Sequence, residues 1–311
     1  MNLRKPCLPP GWYPQNSSKI SEFLNNFSLS EEKKAELLPE YYKKHRILAA
    51  VAPHAGWYYS GTAAARAVAA LAAFSGQCET VVVIGGHLPE AMPALFAMED
   101  AVSTPRGEME IDNELRTMLI ANYGKISGFR TAEDRYHDNT VEVLLPMVKY
   151  FFPTSKLLWL RLPAAIVSFE AGKTLAKTAA AMGKKIAVLG STDLTHYGSN
   201  YGFSPKGYGQ KALDWVKNTN DRRFIDAVEA GDPQAALDRA EEEHSACSAG
   251  AVLGVMGFAE ETTSVSKQGS NSAGKLLVYS TSADIALDEG DGIPDSFVGY
   301  GAFIWNAEQE G

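Results

Sequence analysis

The sequence predicts an α/β fold with a mostly parallel central sheet and helices on both faces. Three observations carry this expectation. Short runs rich in Val, Ile and Leu recur along the whole chain, several of them are apolar without a break, and helix-period segments fill the gaps between them. A run such as Val81-Val82-Val83-Ile84 needs cover on both sides, which is the pattern of a parallel sheet between two helical layers.

In chain order, a helical pattern over Ser30–Lys43 leads into a strand at Ile47–Val51. An apolar helix over Gly61–Phe74, carrying Arg66, precedes the strand Thr80–Ile84. A short strand at Leu95–Ala97 is followed by helices at Asn113–Asn122 and Thr140–Tyr150, a strand at Leu157–Leu162, a helix at Ile166–Met182 and a strand at Ile186–Leu189. Helices at Tyr208–Asn218, Arg222–Glu229 and Cys247–Phe258 then precede strands at Leu276–Ser280 and Phe297–Trp305. Tyr197–Gly209, with scattered glycines, and Glu261–Lys275, rich in Ser, Thr and Gly, read as surface loops. A length of 311 residues suggests two domains at about 150 each. Strand signals continue past both loops, however, so residues 1–311 are expected to form a single α/β domain.

Composition narrows the function classes. With 45% hydrophobic and 21% charged residues, the chain is globular. Lys and Arg number 29 against 37 Asp and Glu, a net charge of −8, and the longest basic cluster is Lys43-Lys44-His45-Arg46, so no nucleic-acid partner is expected. The helix around Ala63–Phe74 is too short to span a bilayer, and the N-terminus lacks a signal-peptide core, which argues against a membrane or secretory role. Three cysteines, Cys7, Cys78 and Cys247, with no CxxC, point to a reducing, cytoplasmic setting.

Three of the six histidines follow strand-like runs, at the carboxyl edge where α/β proteins place their sites. His54 follows Leu48–Pro53. His87 follows Val81–Ile84 and a Gly85-Gly86 pair that would let the backbone turn sharply. His196 closes Gly190-Ser191-Thr192-Asp193-Leu194-Thr195-His196. Asp193 lies three residues before His196, so on one helical turn it would face that imidazole and orient it; an N-cap role is the alternative. Cys247 opens a small-residue helix, whose N-terminus favours the thiolate needed for metal ligation or nucleophilic attack, although a buried inert cysteine fits the same position. His137, in Asp134-Arg135-Tyr136-His137-Asp138-Asn139, is either a substrate group or a solvated helix cap. His45 and His244 sit in charged runs and are expected in solvent, and Cys7 and Cys78 have no polar constellation.

Several segments, in order, resemble one family. Val51–Gly61 (VAPHAGWYYSG), Gly86-His87-Leu88-Pro89, Asp138–Pro146 (DNTVEVLLP), Ser191–Tyr197 (STDLTHY), Cys247 with its helix, Gly299-Tyr300-Gly301-Ala302 and the opening Leu8–Pro14 are similar to motifs of the Memo family, known in bacteria as AmmeMemoRadiSam system protein B. The resemblance implies a fold like that of class III extradiol dioxygenases, non-haem iron enzymes, with the family's metal-site histidines at His54 and His87, its cysteine at Cys247, and its adjacent acid and histidine at Asp193 and His196. The family's EHSIE histidine falls on Asn139 here, with His137 two residues earlier. It also implies a divalent metal, with Fe(II) first and copper or zinc as alternatives. In that reading His196 is the general base, and Trp57, Tyr58, His137 and Tyr197 contact the substrate. The function expected is a metal-dependent oxidoreductase, dioxygenase-like, of unnamed substrate. Two other readings stand beside it. One is a non-catalytic binding or scaffold protein holding a small molecule or peptide in the same crevice, with a radical SAM system protein as a further partner. The other is a hydrolase with Cys247 as nucleophile and His196 as its base.

Overall fold

Alternation along the strands decides how the layers stack. In the computed structural model, which describes residues 2–30, 45–265 and 272–308, Ala49 and Val51 point to one side of the sheet and Ala50 and Ala52 to the other. Val82 and Ile84 likewise oppose Val81 and Val83.

The elements are β1 (Leu3–Arg4), α1 (Ser17–Asn25), β2 (His45–Ala52), α2 (Trp57–Ser75), β3 (Thr80–Leu88), β4 (Ala94–Phe96), β5 (Ala101–Thr104), β6 (Gly107–Glu110) and α3 (Asn113–Tyr123). Next come β7 (Thr131–Glu133), α4 (Asn139–Glu142), α5 (Leu145–Phe151), β8 (Lys156–Pro163), α6 (Val167–Ala181), β9 (Ile186–Ser191) and β10 (His196–Gly198). Then α7 (Gln210–Trp215), a π-helical stretch (Val216–Asn220), α8 (Asp221–Ala230), α9 (Pro233–Glu242), α10 (Ala249–Val265), β11 (Lys275–Thr281), α11 (Ser282–Asp288) and β12 (Ser296–Glu308) complete the chain.

The main sheet runs β10-β12-β2-β9-β3-β8-β4-β7, and β11 also pairs with β12. Its centre, β2-β9-β3-β8, is parallel, with Ala49 opposite Val188, Val82 opposite Val188 and Val83 opposite Trp159. Around that centre, β12 pairs antiparallel with β2, β10 and β11, and β4 pairs antiparallel with β8. Parallel pairing thus holds in the centre and in the outer β4-β7 pair, with antiparallel pairing between and at the other flank, and the fold is mixed α/β. A smaller sheet, β1-β5-β6, lies apart.

One apolar layer joins Val82, Ile84 and Val188 to Leu175 of α6 and Val252 and Met256 of α10. The other joins Val81, Val83 and Leu189 to Val68 and Leu71 of α2, Val148 of α5 and Leu24 of α1. Burial of these aliphatic side chains, at roughly 25 cal/mol per Å², is the dominant stabilising term of the sandwich. Gly76, with φ 72°, ends α2, and Gly231 in the left-handed region followed by Asp232 and Pro233 ends α8 and starts α9.

The expected helix Thr140–Tyr150 is two, α4 and α5, because Pro146 lacks an N–H and is tolerated only in a first turn. The loop expected from Glu261 begins later, since α10 continues to Val265. Most of the helical pattern Ser30–Lys43, and residues 266–271 of that loop, lie outside the described residues. No helix among the described residues is long and apolar enough to cross a membrane.

Candidate metal centre

The parallel strands β2, β9 and β3 end at one edge of the sheet, and each delivers a polar side chain there. His54 follows β2, Asp193 follows β9, and His87 is the penultimate residue of β3. Cys247 arrives from the opposite direction, two residues before α10 rather than on its first turn. Its N–H donates to the Asp193 carbonyl at 3.2 Å, and the next N–H, of Ser248, donates to Thr192 Oγ1 at 3.1 Å. The segment after β9 thereby fixes the cysteine.

Gly85 and Gly86 serve closeness rather than turning. Neither is among the positive-φ glycines; the left-handed residue is His87 itself, at φ 57°. A Cβ on Gly86 would lie 2.6 Å from Ser248 Oγ and 2.8 Å from Ser248 Cα. The bare backbone of β3 thus lies against the Cys247–Ser248 turn, and His87 comes to rest beside the thiol.

His54 is 1% exposed. Its Nδ1 bonds Ser191 Oγ at 2.8 Å, and its Nε2 lies 3.3 Å from Cys247 Sγ. His87 Nδ1 bonds Asp138 Oδ2 at 3.0 Å, and the two rings meet edge to face with centroids 4.8 Å apart. One donor atom from each of His54, His87 and Cys247 falls within 4.8 Å of the others.

Charge is shared across this cluster. Burial alone would push the Cys247 thiol up, but the charges of His54 and His87 and their hydrogen bonds to the sulfur outweigh it and hold the thiol well below its ordinary value. Burial would lower His54, and Asp193 and Cys247 reverse that, so it is raised. His87 is likewise pushed up, to about 10, by Asp138 and Cys247 against burial. A metal binding here would take the place of the protons shared among the thiol and the two imidazoles, because its ligands must be deprotonated.

Asp193 is buried, and burial raises its carboxyl against the pull of His54. Its Oδ1 accepts the His54 backbone N–H at 2.7 Å. No hydrogen bond joins Asp193 to the His196 imidazole, because Thr192–Thr195 is not helical, although the charge of His196 still acts to lower the Asp193 carboxyl. β10 pairs with β12, placing His196 opposite Val298. Asp193 therefore positions His54.

His196 does line the crevice, a cavity of about 640 Å³ shared with His54, His87 and Asp193. The four expected substrate contacts lie elsewhere. Trp57 is core: its Nε1 donates to the Val143 carbonyl at 2.9 Å and its ring packs on Phe23. Tyr58 points outward, 59% exposed, with its hydroxyl on Glu289. Tyr197 is fully buried, stacked on Phe297, its hydroxyl donating to the Gly207 carbonyl. His137 is exposed on the loop before α4.

Phase explains these displacements. A step of one residue on a helix turns a side chain by about 100°, so Tyr59 rather than Tyr58 faces the crevice. On β10, neighbours alternate, so the side that takes His196 excludes Tyr197. Asn139, which lines the crevice and donates to the His54 carbonyl at 2.9 Å, stands where His137 was expected to act. Trp12, Tyr201 and Tyr300 complete the aromatic lining. His244 is exposed, as expected, with one ring edge against Phe203.

Among solved structures, an uncharacterized protein from Escherichia coli K12 shares the fold, with a TM-score of 0.50 and 11% identity over 84% of this chain and all of that one. A MEMO1 family protein of Pyrococcus abyssi is 28% identical over 97% of this chain and 99% of its own. One of Methanopyrus kandleri is 29% identical over 97% of this chain and 98% of its own. The family model described as Memo-like protein matches residues 4–304. By that match over nearly its whole length, the chain belongs to the Memo family.

Proposed function

We propose that the protein is a metal-dependent, dioxygenase-like oxidoreductase, with His54, His87 and Cys247 holding a divalent metal at the sheet edge. One observation carries the reading. Both imidazoles are tied down through Nδ1, by Ser191 and Asp138, which turns the other nitrogen of each toward the Cys247 sulfur, where a metal would sit. The three donor atoms lie within 4.8 Å of one another, and the 3.3 Å between His54 Nε2 and Cys247 Sγ is the spacing of two neighbouring ligands on one ion at bond lengths of about 2.0–2.3 Å. Three protein donors leave positions open for substrate, as in a facial-triad-like iron site, so Fe(II) is first choice; the thiolate also suits copper or zinc. Such a metal would supply Lewis acidity and redox capacity to a chelating, catechol-like diol.

The chain's own groups do the rest. His196, on the crevice wall, takes the proton of a substrate hydroxyl, and Asp193 keeps His54 in place through its backbone N–H. Trp12, Tyr59, Tyr201 and Tyr300 offer ring faces to a flat substrate. The resemblance to class III extradiol dioxygenases supports the same chemistry, and three free cysteines fit a reducing, cytoplasmic setting.

Reconstitution without oxygen using Fe(II), Cu(I) or Zn(II), read by elemental analysis, tests the centre. Wild type is expected to retain metal, and His54→Ala and Cys247→Ala to lose it; equal binding in all three would sink the reading. Oxygen uptake across a catechol panel, abolished by His196→Ala, tests the reaction.

The thiolate favours a second reading. It is itself oxidisable, which suits a centre that binds without turnover. Metal retention with no oxygen uptake across the panel would favour a binding or scaffold protein for a small molecule or peptide, with a radical SAM system protein as partner. A hydrolase built on Cys247 would draw its base from His54, 3.3 Å away, rather than from His196.

A further inference from the structure

His87 holds a left-handed backbone, which a residue with a side chain keeps only when its surroundings impose it. The surroundings here centre on one guanidinium. Arg161 of β8 is 3% exposed, and its Nε donates to the Gly86 carbonyl at 3.0 Å, the peptide that precedes His87. Its Nη2 pairs with Asp138 Oδ2 at 3.1 Å, the same oxygen that bonds His87 Nδ1. Its Nη1 pairs with Asp134 Oδ1 at 3.2 Å. Asp138 is steadied further by the N–H and hydroxyl of Thr140 on its other oxygen.

We propose that Arg161 and Asp138 are a positioning pair for His87: one planar side chain fixes both the backbone that strains the histidine into place and the carboxylate that aims its ring. The inference rests on the reading of His87 as a metal ligand. Arginine suits the task because its rigid fork reaches three acceptors at fixed angles, which an ammonium on a flexible stem does not. A ligating imidazole whose second nitrogen is held by a carboxylate has one ring orientation and greater basicity. The network has an outer end as well. Asp134 accepts from Trp159 Nε1 at 2.9 Å, and Arg4 Nη1 donates to the Asp134 carbonyl at 2.7 Å. Arg4 reaches neither Asp138 nor His87 directly, so it serves as the control.

The test uses the full chain, stripped of metal by a chelator under argon and titrated with Co(II), with binding read from thiolate charge-transfer and ligand-field bands. Asp138→Asn is expected to weaken binding roughly 10–100-fold and to shift the ligand-field bands. Arg161→Lys, which keeps the charge and loses the fork, is expected to move both readouts in the same direction, and Arg4→Ala to stay within about threefold of wild type. Circular dichroism confirms that each variant is folded. Wild-type affinity and wild-type bands in both Asp138→Asn and Arg161→Lys would overturn the pair. A wild type that binds no Co(II) defeats the metal reading instead, and the pair is then decided on metal-free protein by the imidazole ¹⁵N resonances of His87. A wild-type pattern altered in Asp138→Asn supports it, and identical patterns overturn it.

Discussion

Gly86 sets the geometry of the centre without contributing a functional group. Its Cα is close enough to Ser248 that one added methyl overlaps that residue's backbone, which itself is pinned to Thr192. Gly86→Ala is therefore expected to push β3 away from the Cys247 turn, weakening metal binding and costing roughly 1–3 kcal/mol of stability as an overpacked site does. Metal titration and thermal unfolding check both; a variant matching wild type in both would refute the close-approach argument. At this scale the sequence was legible where position alone carries information. The strand ends and helix start that bring His54, His87 and Cys247 into one cluster are visible in the hydrophobic pattern, whereas their grouping as a ligand set comes from the family resemblance. The crevice aromatics were misread because that pattern locates an element more securely than it phases it, so Tyr58 stood in for Tyr59 and Tyr197 for a residue on the opposite face. Arg161 left no local signal, since its partners Asp134, Asp138 and Gly86 meet only through tertiary packing.

A helix of four residues anchors the N-terminal segment. Glu142 of α4, 4% exposed, accepts the Cys7 N–H and thiol on Oε2, at 2.8 and 2.9 Å, and the Leu8 N–H and Tyr13 hydroxyl on Oε1, at 3.0 and 2.9 Å. The chain between those anchors brings Pro10, Gly11 and Trp12 to the crevice, where the Trp12 carbonyl accepts the Trp57 N–H at 2.8 Å. Burial and the Glu142 carboxylate push the Cys7 thiol up to about 11, which keeps it unreactive. Glu142→Ala strands four donors at once, and a loss of roughly 2–4 kcal/mol is expected, with proteolysis starting in the N-terminal segment and faster alkylation of Cys7. Unchanged cleavage and unchanged Cys7 reactivity would count against the anchor. Element reading succeeded for long periodic segments such as α6. It missed α1, whose Asn16 cap is a short-range signal, and α11, whose Thr281 and Asp284 form a capping box. The antiparallel flank was also missed, because β10 is three residues long and its partner, β12, lies nearly a hundred residues away.

At the scale of the whole molecule, the joint between the sheet flank and the helices behind it rests on one buried acid. Asp221 opens α8, takes the N–H and hydroxyl of Thr195 on Oδ1 and the Tyr279 hydroxyl on Oδ2, and lies against Gly299, so it ties β11, β12 and the segment leading to His196 together. Burial raises its carboxyl to about 6, against the lowering effect of those hydrogen bonds. The folded state therefore keeps a proton that the unfolded chain releases near pH 4, and linkage fixes the sign. The contribution of Asp221 is fully present below about pH 4 and declines as pH rises through about 6, a loss of roughly 3 kcal/mol across that window. Asp112 and Asp138 act in the opposite sense and lower down. Burial opposes ionisation at both, but Lys184 and Thr80 at the first, and His87 and Arg161 at the second, hold them below the ordinary carboxylate value. Their stabilisation is present above about pH 4 and lost as pH falls below it. Asp221→Asn keeps an acceptor for Thr195 and places an amide toward the Tyr279 oxygen, with no proton to release. Denaturant unfolding from pH 4 to 7 should then show wild type losing stability relative to the variant, because every other titrating group is common to both. Parallel curves across that range would mean that Asp221 ionises alike in the folded and unfolded chain, and that burial does not outweigh the three hydrogen bonds its carboxylate accepts.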